Sequence, residues 1–366
     1  MNIKSLLLGS AAALVAVSGA RAADAIVAAE PEPVEYVRVC DAFGTGFFYI
    51  PGTETCLRIH GYIRYDVRAG EAYERTSFTG DGTYRAHARA SIRASTASET
   101  ELGTLRTYSE FRFNWDTSAT TGGYTTGTAP SLNFAWIQLG GLRVGKDETL
   151  FTTWTGYAGA VITDGTYGPF DTNLISYTYD GGAFRAGISL EQGDDSNSAT
   201  AWGIDDYMPH VVAGVGYNAG MVDLSAVLGY DTRDDFGGVA RGGWSGKVRA
   251  DVTVNDQLSV FAMAMYGEST SGYTTWDRTN AAAGEESLSI IAGGSYRASD
   301  KLRFNIQGQW MESVAAENLS DGFQVAGNLN YTVVPGFVVT PELYYTDAGD
   351  AAGGQFGAMV RFQRSF

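Results

Sequence analysis

LRIHGYIRYDVRA, residues 57–69, alternates strictly: Leu57, Ile59, Gly61, Ile63, Tyr65 and Val67 fall on one side and Arg58, His60, Tyr62, Arg64, Asp66 and Arg68 on the other. Successive side chains of a β-strand point to opposite faces, so this period of two reads as a strand with one apolar and one charged face. YRAHARASIRAST, residues 84–96, repeats the pattern, setting Ala86, Ala88, Ala90, Ile92 and Ala94 against Arg85, His87, Arg89, Ser91, Arg93 and Ser95. In 103–115 Leu105, Phe111, Phe113 and Trp115 oppose Arg106, Tyr108, Glu110 and Arg112. Soluble strands run about five or six residues. These are twice as long, the length of a tilted strand crossing a bilayer.

Outward from these three, thirteen further segments carry strand patterning: 131–139, 142–146, 173–180, 183–191, 209–217, 221–231, 244–254, 257–267, 286–297, 301–311, 322–333, 337–346 and 355–366. Their connections alternate. Short ones such as Gly140-Gly141, Gly181-Gly182, Asn218-Ala219-Gly220 and Val334-Pro335-Gly336 have hairpin-turn chemistry. Long polar ones occupy 70–83, 116–130, 147–172, 192–208, 232–243, 268–285, 312–321 and 347–354. Sixteen strands with short turns at one end and long loops at the other predict an all-β fold: a 16-stranded antiparallel transmembrane β-barrel with short periplasmic turns and long external loops. Aromatic residues support it, since Trp115, Tyr230, Tyr266 and Trp310 sit beside long loops and Tyr179, Tyr217, Tyr296 and Tyr331 beside short turns. Two such belts match the interfacial girdles of a barrel.

Composition agrees. Charged residues are 18% of the 366, aromatics 13%, and there are 47 glycines. The longest apolar run, 6–17, is too short for a membrane helix, which needs roughly 20 residues. A formal net charge of -16 argues against nucleic-acid binding.

Residues 1–22 read as a secretory signal peptide, with Lys4, the apolar run and the Ala20-Arg21-Ala22 cleavage site. Its removal takes Lys4 and Arg21 away and moves the net charge from -16 to -18. A segment at 23–56, beginning acidic and proline-bearing, then precedes the barrel domain at 57–366. Cys40 and Cys56 are the only cysteines, and an exported chain with two pairs them as a structural disulfide. No metal site and no cofactor are implied.

Which face meets lipid is a matter of magnitude. An arginine on the lipid face at the midplane costs roughly 2–4 kcal/mol. Arg58, Arg64, Arg68, Arg85, Arg89, Arg93, Arg106 and Arg112 share one face of the first three strands. Eight such costs exceed the stability of any barrel, so that face lines an aqueous interior. A bore of sixteen strands is too wide to fill with side chains, and is therefore a channel.

The third long connection, DETLFTTWTGYAGAVITDGTYGPFDT (147–172), mixes Trp, Tyr, Phe, Val and Ile with Asp147, Glu148, Asp164 and Asp171. This composition predicts a loop folded into the lumen, its apolar side on the wall and its carboxylates facing the passage. Acids there, facing an arginine wall, would set a transverse field favouring polar solutes. With Asp194, Asp195, Asp205, Asp206, Asp234 and Asp235 in the external loops, the charge total predicts a weak cation preference.

CDAFGTGFFYIPGTETCLRIHGYIRYD (40–66), LNFAWIQLGGLRVGKDETLF (132–151) and the terminus RFQRSF (361–366) resemble the alphaproteobacterial general porins of the Brucella and Rhizobium type, and the likeness covers essentially the whole chain. The resemblance implies a bacterial outer-membrane porin passing small hydrophilic solutes by passive diffusion. It implies a homotrimer, with a monomer left open, whose surroundings are outer-membrane lipid and lipopolysaccharide. The last strand resembles the signal read by the outer-membrane assembly machinery, with Phe366 last and Phe362 on its face, though Arg364 departs from the apolar residue expected there.

Two rivals carry other chemistry. A substrate-selective sugar channel would use luminal aromatics such as Tyr62, Tyr108 and Trp136. An outer-membrane enzyme would need a Ser–His, Asp–His or paired-Asp constellation; the three histidines are His60, His87 and His210, and His210 follows Asp205 and Asp206, where an Asp–His pair is conceivable. His60 and His87 fall on luminal faces, and no Gly-x-Ser-x-Gly run supports a nucleophile.

Overall fold

Period-two alternation turns every second side chain of each strand to the outside of one closed antiparallel sheet. The structure is a computed structural model describing residues 38–73, 75–76, 82–120, 123–194, 201–277, 285–313, 320–349 and 353–366. The signal peptide reading (1–22), the first part of the 23–56 segment, up to 37, and Asp195 lie outside the described residues. Within the unit Val39–Phe366, the strands are β1 (Cys56–Ala69), β2 (Arg85–Thr100), β3 (Gly103–Thr120), β4 (Gly123–Leu139), β5 (Leu142–Glu148), β6 (Asp171–Asp180), β7 (Phe184–Glu191) and β8 (His210–Asn218). The second half comprises β9 (Val222–Asp231), β10 (Gly243–Thr253), β11 (Leu258–Glu268), β12 (Glu286–Ser299), β13 (Leu302–Met311), β14 (Gly322–Val334), β15 (Phe337–Asp347) and β16 (Gly354–Ser365).

Each strand pairs with its neighbour in sequence, and β16 pairs with β1 from Ala358↔Ala69 to Ser365↔Tyr62. Beyond that ladder, Phe366 and Gly61 exchange backbone N–H···O bonds of 3.0 Å in both directions, so the last residue closes the ring. The short turns use the expected chemistry. At Asn218-Ala219-Gly220 the glycine takes φ +77°, and its N–H donates to Asn218 Oδ1 at 3.0 Å.

One connection departs from the sequence reading. Residues 116–130 read as a long loop, yet β3 and β4 continue through them, paired from Asp116↔Gly127 to Thr120↔Gly123. The segment is rich in β-branched threonine, which suits strands. It has no apolar face for alternation to mark.

Outward, Ile59, Ile63, Ile92, Phe111, Phe113, Ile175 and Leu343 are exposed, as a lipid-facing surface requires. The belt aromatics Trp115, Tyr230 and Tyr266 near long loops, and Tyr179, Tyr217, Tyr296 and Tyr331 near short turns, are exposed on the same face. Inside, one side of the bore holds an apolar cluster. Val212, Val227, Met263, Met265 and Ile291 from strands β8, β9, β11 and β12 meet Phe151, Trp202, Tyr273 and Trp276 from the long loops.

Candidate functional site

The luminal face of β1–β3 is a basic wall built around two buried acids. Asp66, with no exposed surface, accepts from Nε and Nη2 of Arg361 at 2.8 and 2.9 Å. It also faces Arg68 at 3.3 Å, Arg64 at 3.6 Å and His87 at 3.7 Å. Glu110 does the same one strand pair away, with Arg112 at 2.6 Å, Arg93 at 3.3 Å and the Ser91 hydroxyl donating at 2.9 Å. Arg85 pairs with Asp116 at 2.5 Å, and Arg89 donates to Asn114 Oδ1 at 2.6 Å. Arg58 lies over the Phe47 ring, 5.4 Å from its centroid, and Arg106 is exposed on the Tyr108 and Glu110 side of β3. A low-dielectric wall strengthens these pairings, and each needs its acid, because a lone buried charge costs several kcal/mol.

Opposite stands the third loop, 149–170, which opens with the helix α1 (Leu150–Thr155). Its start is fixed by Glu191, whose carboxylate accepts from Thr149 Oγ1 at 2.6 Å, Leu150 N at 2.9 Å and Tyr273 OH at 3.0 Å. Trp154 lies against the facing glycines Gly187 and Gly214, where an added Cβ would meet its ring at 2.6 and 2.5 Å. No larger residue fits there. The loop then follows the wall: Arg249 donates to Tyr157 O at 2.5 Å and Lys247, fully buried beneath the Phe151 ring, to Tyr167 O at 2.7 Å. Gln307 donates to Asp164 O at 2.5 Å and Gln309 to Thr166 O at 2.7 Å. At the tip, Glu342 of β15 accepts from the backbone N–H of Ile162 at 2.5 Å and of Thr163 at 2.8 Å.

These anchors were missed by sequence reading. Their signal was present: Gln307, Gln309, Gln324 and Asn328 recur at alternate positions of β13 and β14, and Asn328 is the register partner of Glu342. Amides on a luminal face are hydrogen-bonding anchors for a loop that brings its own backbone groups into the bore.

The four acids assigned to the loop part company. Asp147 and Glu148 end β5, and Asp171 opens β6, so only Asp164 lies in the loop itself. Asp147 pairs with Arg143 at 2.5 Å and Glu148 accepts from Tyr157 OH at 2.6 Å. Asp171 pairs with Lys146. By alternation it shares the outward side of Ile175 and Tyr177, so it does not border the passage. Asp164 accepts from Tyr167 OH at 2.7 Å, and its burial raises its pKa above the usual carboxylate range. Burial likewise raises the Tyr167 phenol.

Cys40 and Cys56 form a disulfide, Cα atoms 6.1 Å apart. Phe362 pairs in register with Tyr65 and Val339, and Arg364 turns to donate to Pro335 O at 2.6 Å. His60 faces Ser95 Oγ at 3.2 Å. His210 is buried, with Trp202 O at 2.7 Å and Asp231 at 3.4 Å; Asp205 and Asp206, its neighbours in sequence, make neither contact. Tyr108 stacks on Trp136 with centroids 5.4 Å apart, and Arg143 lies 4.2 Å over the Trp136 ring.

A closed sixteen-stranded barrel, apolar without, with a charged wall and a docked loop inside its bore, defines an outer-membrane channel. The family described as Porin_2, "Porin subfamily", matches residues 24–362, and the chain belongs to it. It is 48% identical to the porin Omp2b of Brucella suis biovar 1 over the whole of both chains and 47% identical to Omp2b of Brucella canis, again over both chains in full. In fold it resembles the outer-membrane channel DcaP of Acinetobacter baumannii, with TM-score 0.64, 17% identity and coverage of 87% of this chain and 99% of that one. It also resembles Salmonella typhi OmpF, with TM-score 0.62, 14% identity and coverage of 86% and 98%. The chain is therefore an outer-membrane porin, a channel for passive diffusion across that membrane.

Proposed function

We propose that solutes pass between the basic wall of β1–β3 and the free edge of the third loop, in a gap that selects by size and polarity. The observation that carries this is the anchoring of the loop on Glu342, Asn328, Gln307 and Gln309, on the luminal faces of β13–β15. It leaves the arginine face of β1–β3 to the water. Arg58, Arg64, Arg68, Arg85, Arg89, Arg93, Arg106 and Arg112 line that passage in this reading. Asp164 is the loop acid nearest the role assigned to it. The transverse field is weaker than four loop acids would give, because Asp147 and Asp171 are offset by Arg143 and Lys146.

Diffusion is general in this reading. The Trp136 face that a sugar ring would stack on is covered by Arg143. Residues 1–22 are removed on export, and 23–56 lead into the barrel. Phe366 and Phe362 mark the last strand for the assembly machinery, and the porin sits in lipid and lipopolysaccharide as a homotrimer.

The test is single-channel conductance of the refolded chain in planar bilayers, with sugar entry into liposomes. Stable ohmic steps and entry graded by solute size are expected, and steps in threes accompany a trimer. Saturable block by one sugar would favour the selective reading. A folded barrel without conductance would overturn the open passage.

A further inference from the structure

Between the third loop and the luminal sides of β12–β16 and β1 lies a cavity of about 720 Å³. It is lined by Arg64, Arg297, Lys301, Arg303 and Arg361, against only two acids, Asp164 and Asp300. Arg64 and Arg361 share the Asp66 carboxylate. Even so, Arg64 Nε is a buried nitrogen with no hydrogen-bond partner. Asp164 is engaged by Tyr167.

The β12–β13 hairpin carries the excess charge. Arg297 and Arg303 are direct register partners, and Lys301 stands in the turn between them. Like charges facing each other across a strand pair are destabilising. Among the described residues none of these three forms an ion pair. A sheet keeps such a cluster where an anion relieves it, and guanidinium groups match phosphate oxygens with paired N–H donors. One singly charged ion would answer one cation of the hairpin. Linked phosphoryl groups, each with its own charge, would answer all three. The volume is ample, since a water's share of liquid is about 30 Å³.

We propose that this cavity, which meets the passage at Arg64, is a binding site for oligophosphate anions, solutes carrying two or more linked phosphoryl groups. The proposal rests on the reading of the bore as an open passage. Being at the short-turn end, the site is met first by solutes entering from that side.

The full chain in a planar bilayer in KCl tests it, with inorganic tripolyphosphate added to one side and then the other. Expected are saturable interruptions of the open current, at lower concentration from the short-turn side. The Arg297→Gln/Arg303→Gln pair should raise the half-blocking concentration at least tenfold while open KCl steps persist. Lys301→Gln alone, a turn substitution outside the ladder, should raise it severalfold. Open KCl steps without interruption by tripolyphosphate would overturn the site, as would equal block of wild type and variants. Absence of KCl steps from the wild-type barrel would instead remove the open passage, and the site with it.

Discussion

Across the bore, β1–β3 and β8–β13 handle inward-facing sheet surface by opposite means. The first group leaves it wet, with guanidinium groups gathered around Asp66 and Glu110. The second covers it, laying the third loop and parts of two others over Val212, Met263, Met265 and Ile291. Electrostatics holds the first and burial the second. Removing a charge should therefore be grave on one side and mild on the other.

The largest effect is expected at the wall. Asp66→Ala leaves Arg64, Arg68 and Arg361 around an empty centre, and breaking such a buried pairing costs about 3–5 kcal/mol. Urea unfolding of the detergent-solubilised barrel measures it; an unchanged midpoint would show that water, not Asp66, compensates the arginines. Next comes the join between the two regions. Glu342→Gln replaces one of the acceptors of Ile162 N and Thr163 N with a donor, a loss of about 1–3 kcal/mol in loop docking. Flickering conductance and new protease cleavage within 149–170 are the readouts, and a quiet, resistant channel would count against the anchor.

In the covered region the sign differs. Lys247 is fully buried, with one backbone acceptor and an aromatic ring over it. Lys247→Met exchanges that charge for apolar volume of similar length and is expected to stay within about 1 kcal/mol of wild type. A loss of more than twice that in the same unfolding assay would make the lysine a structural centre like Asp66.

The smallest effect is the pH dependence of selectivity. Burial raises the Asp164 pKa, so as pH falls this group takes its proton before an ordinary aspartate, whose pKa is about 3.9. Its contribution to stability is accordingly full at low pH and lost as pH rises through the raised value. The permeability ratio should shift toward anions on acidification, by less than about twofold in salt, and Asp164→Asn should hold it at the acid value. A pH-dependent shift that survives in Asp164→Asn would move the titrating group elsewhere.

The strands were legible because lipid enforces alternation over a dozen residues. The arginine face followed, since eight arginines cannot face hydrocarbon. Less legible was everything set by contact across the bore. Glu342 and Gln309 meet the third loop from more than 140 residues away in sequence, and no periodicity encodes that. Asp171 was misplaced because a loop boundary two residues out turns an outward strand residue into a luminal acid. The extension of β3 and β4 was hidden for the converse reason, a strand without an apolar face.

The seam between β1 and β16 has a consequence for how the barrel is made. Arg361 reaches Asp66, and Phe366 bonds Gly61, so the first strand completes its ladder only with the last residues of the chain. Every other strand pairs with its neighbour in sequence and can zip as a hairpin. Among the described residues the seam is the strand pairing of highest sequence separation, and its closure entropy is correspondingly the largest. Folding is thus a ring closure, with the fastening at its two ends. Until it shuts, β1 and β16 are open edges, ready to pair with another chain.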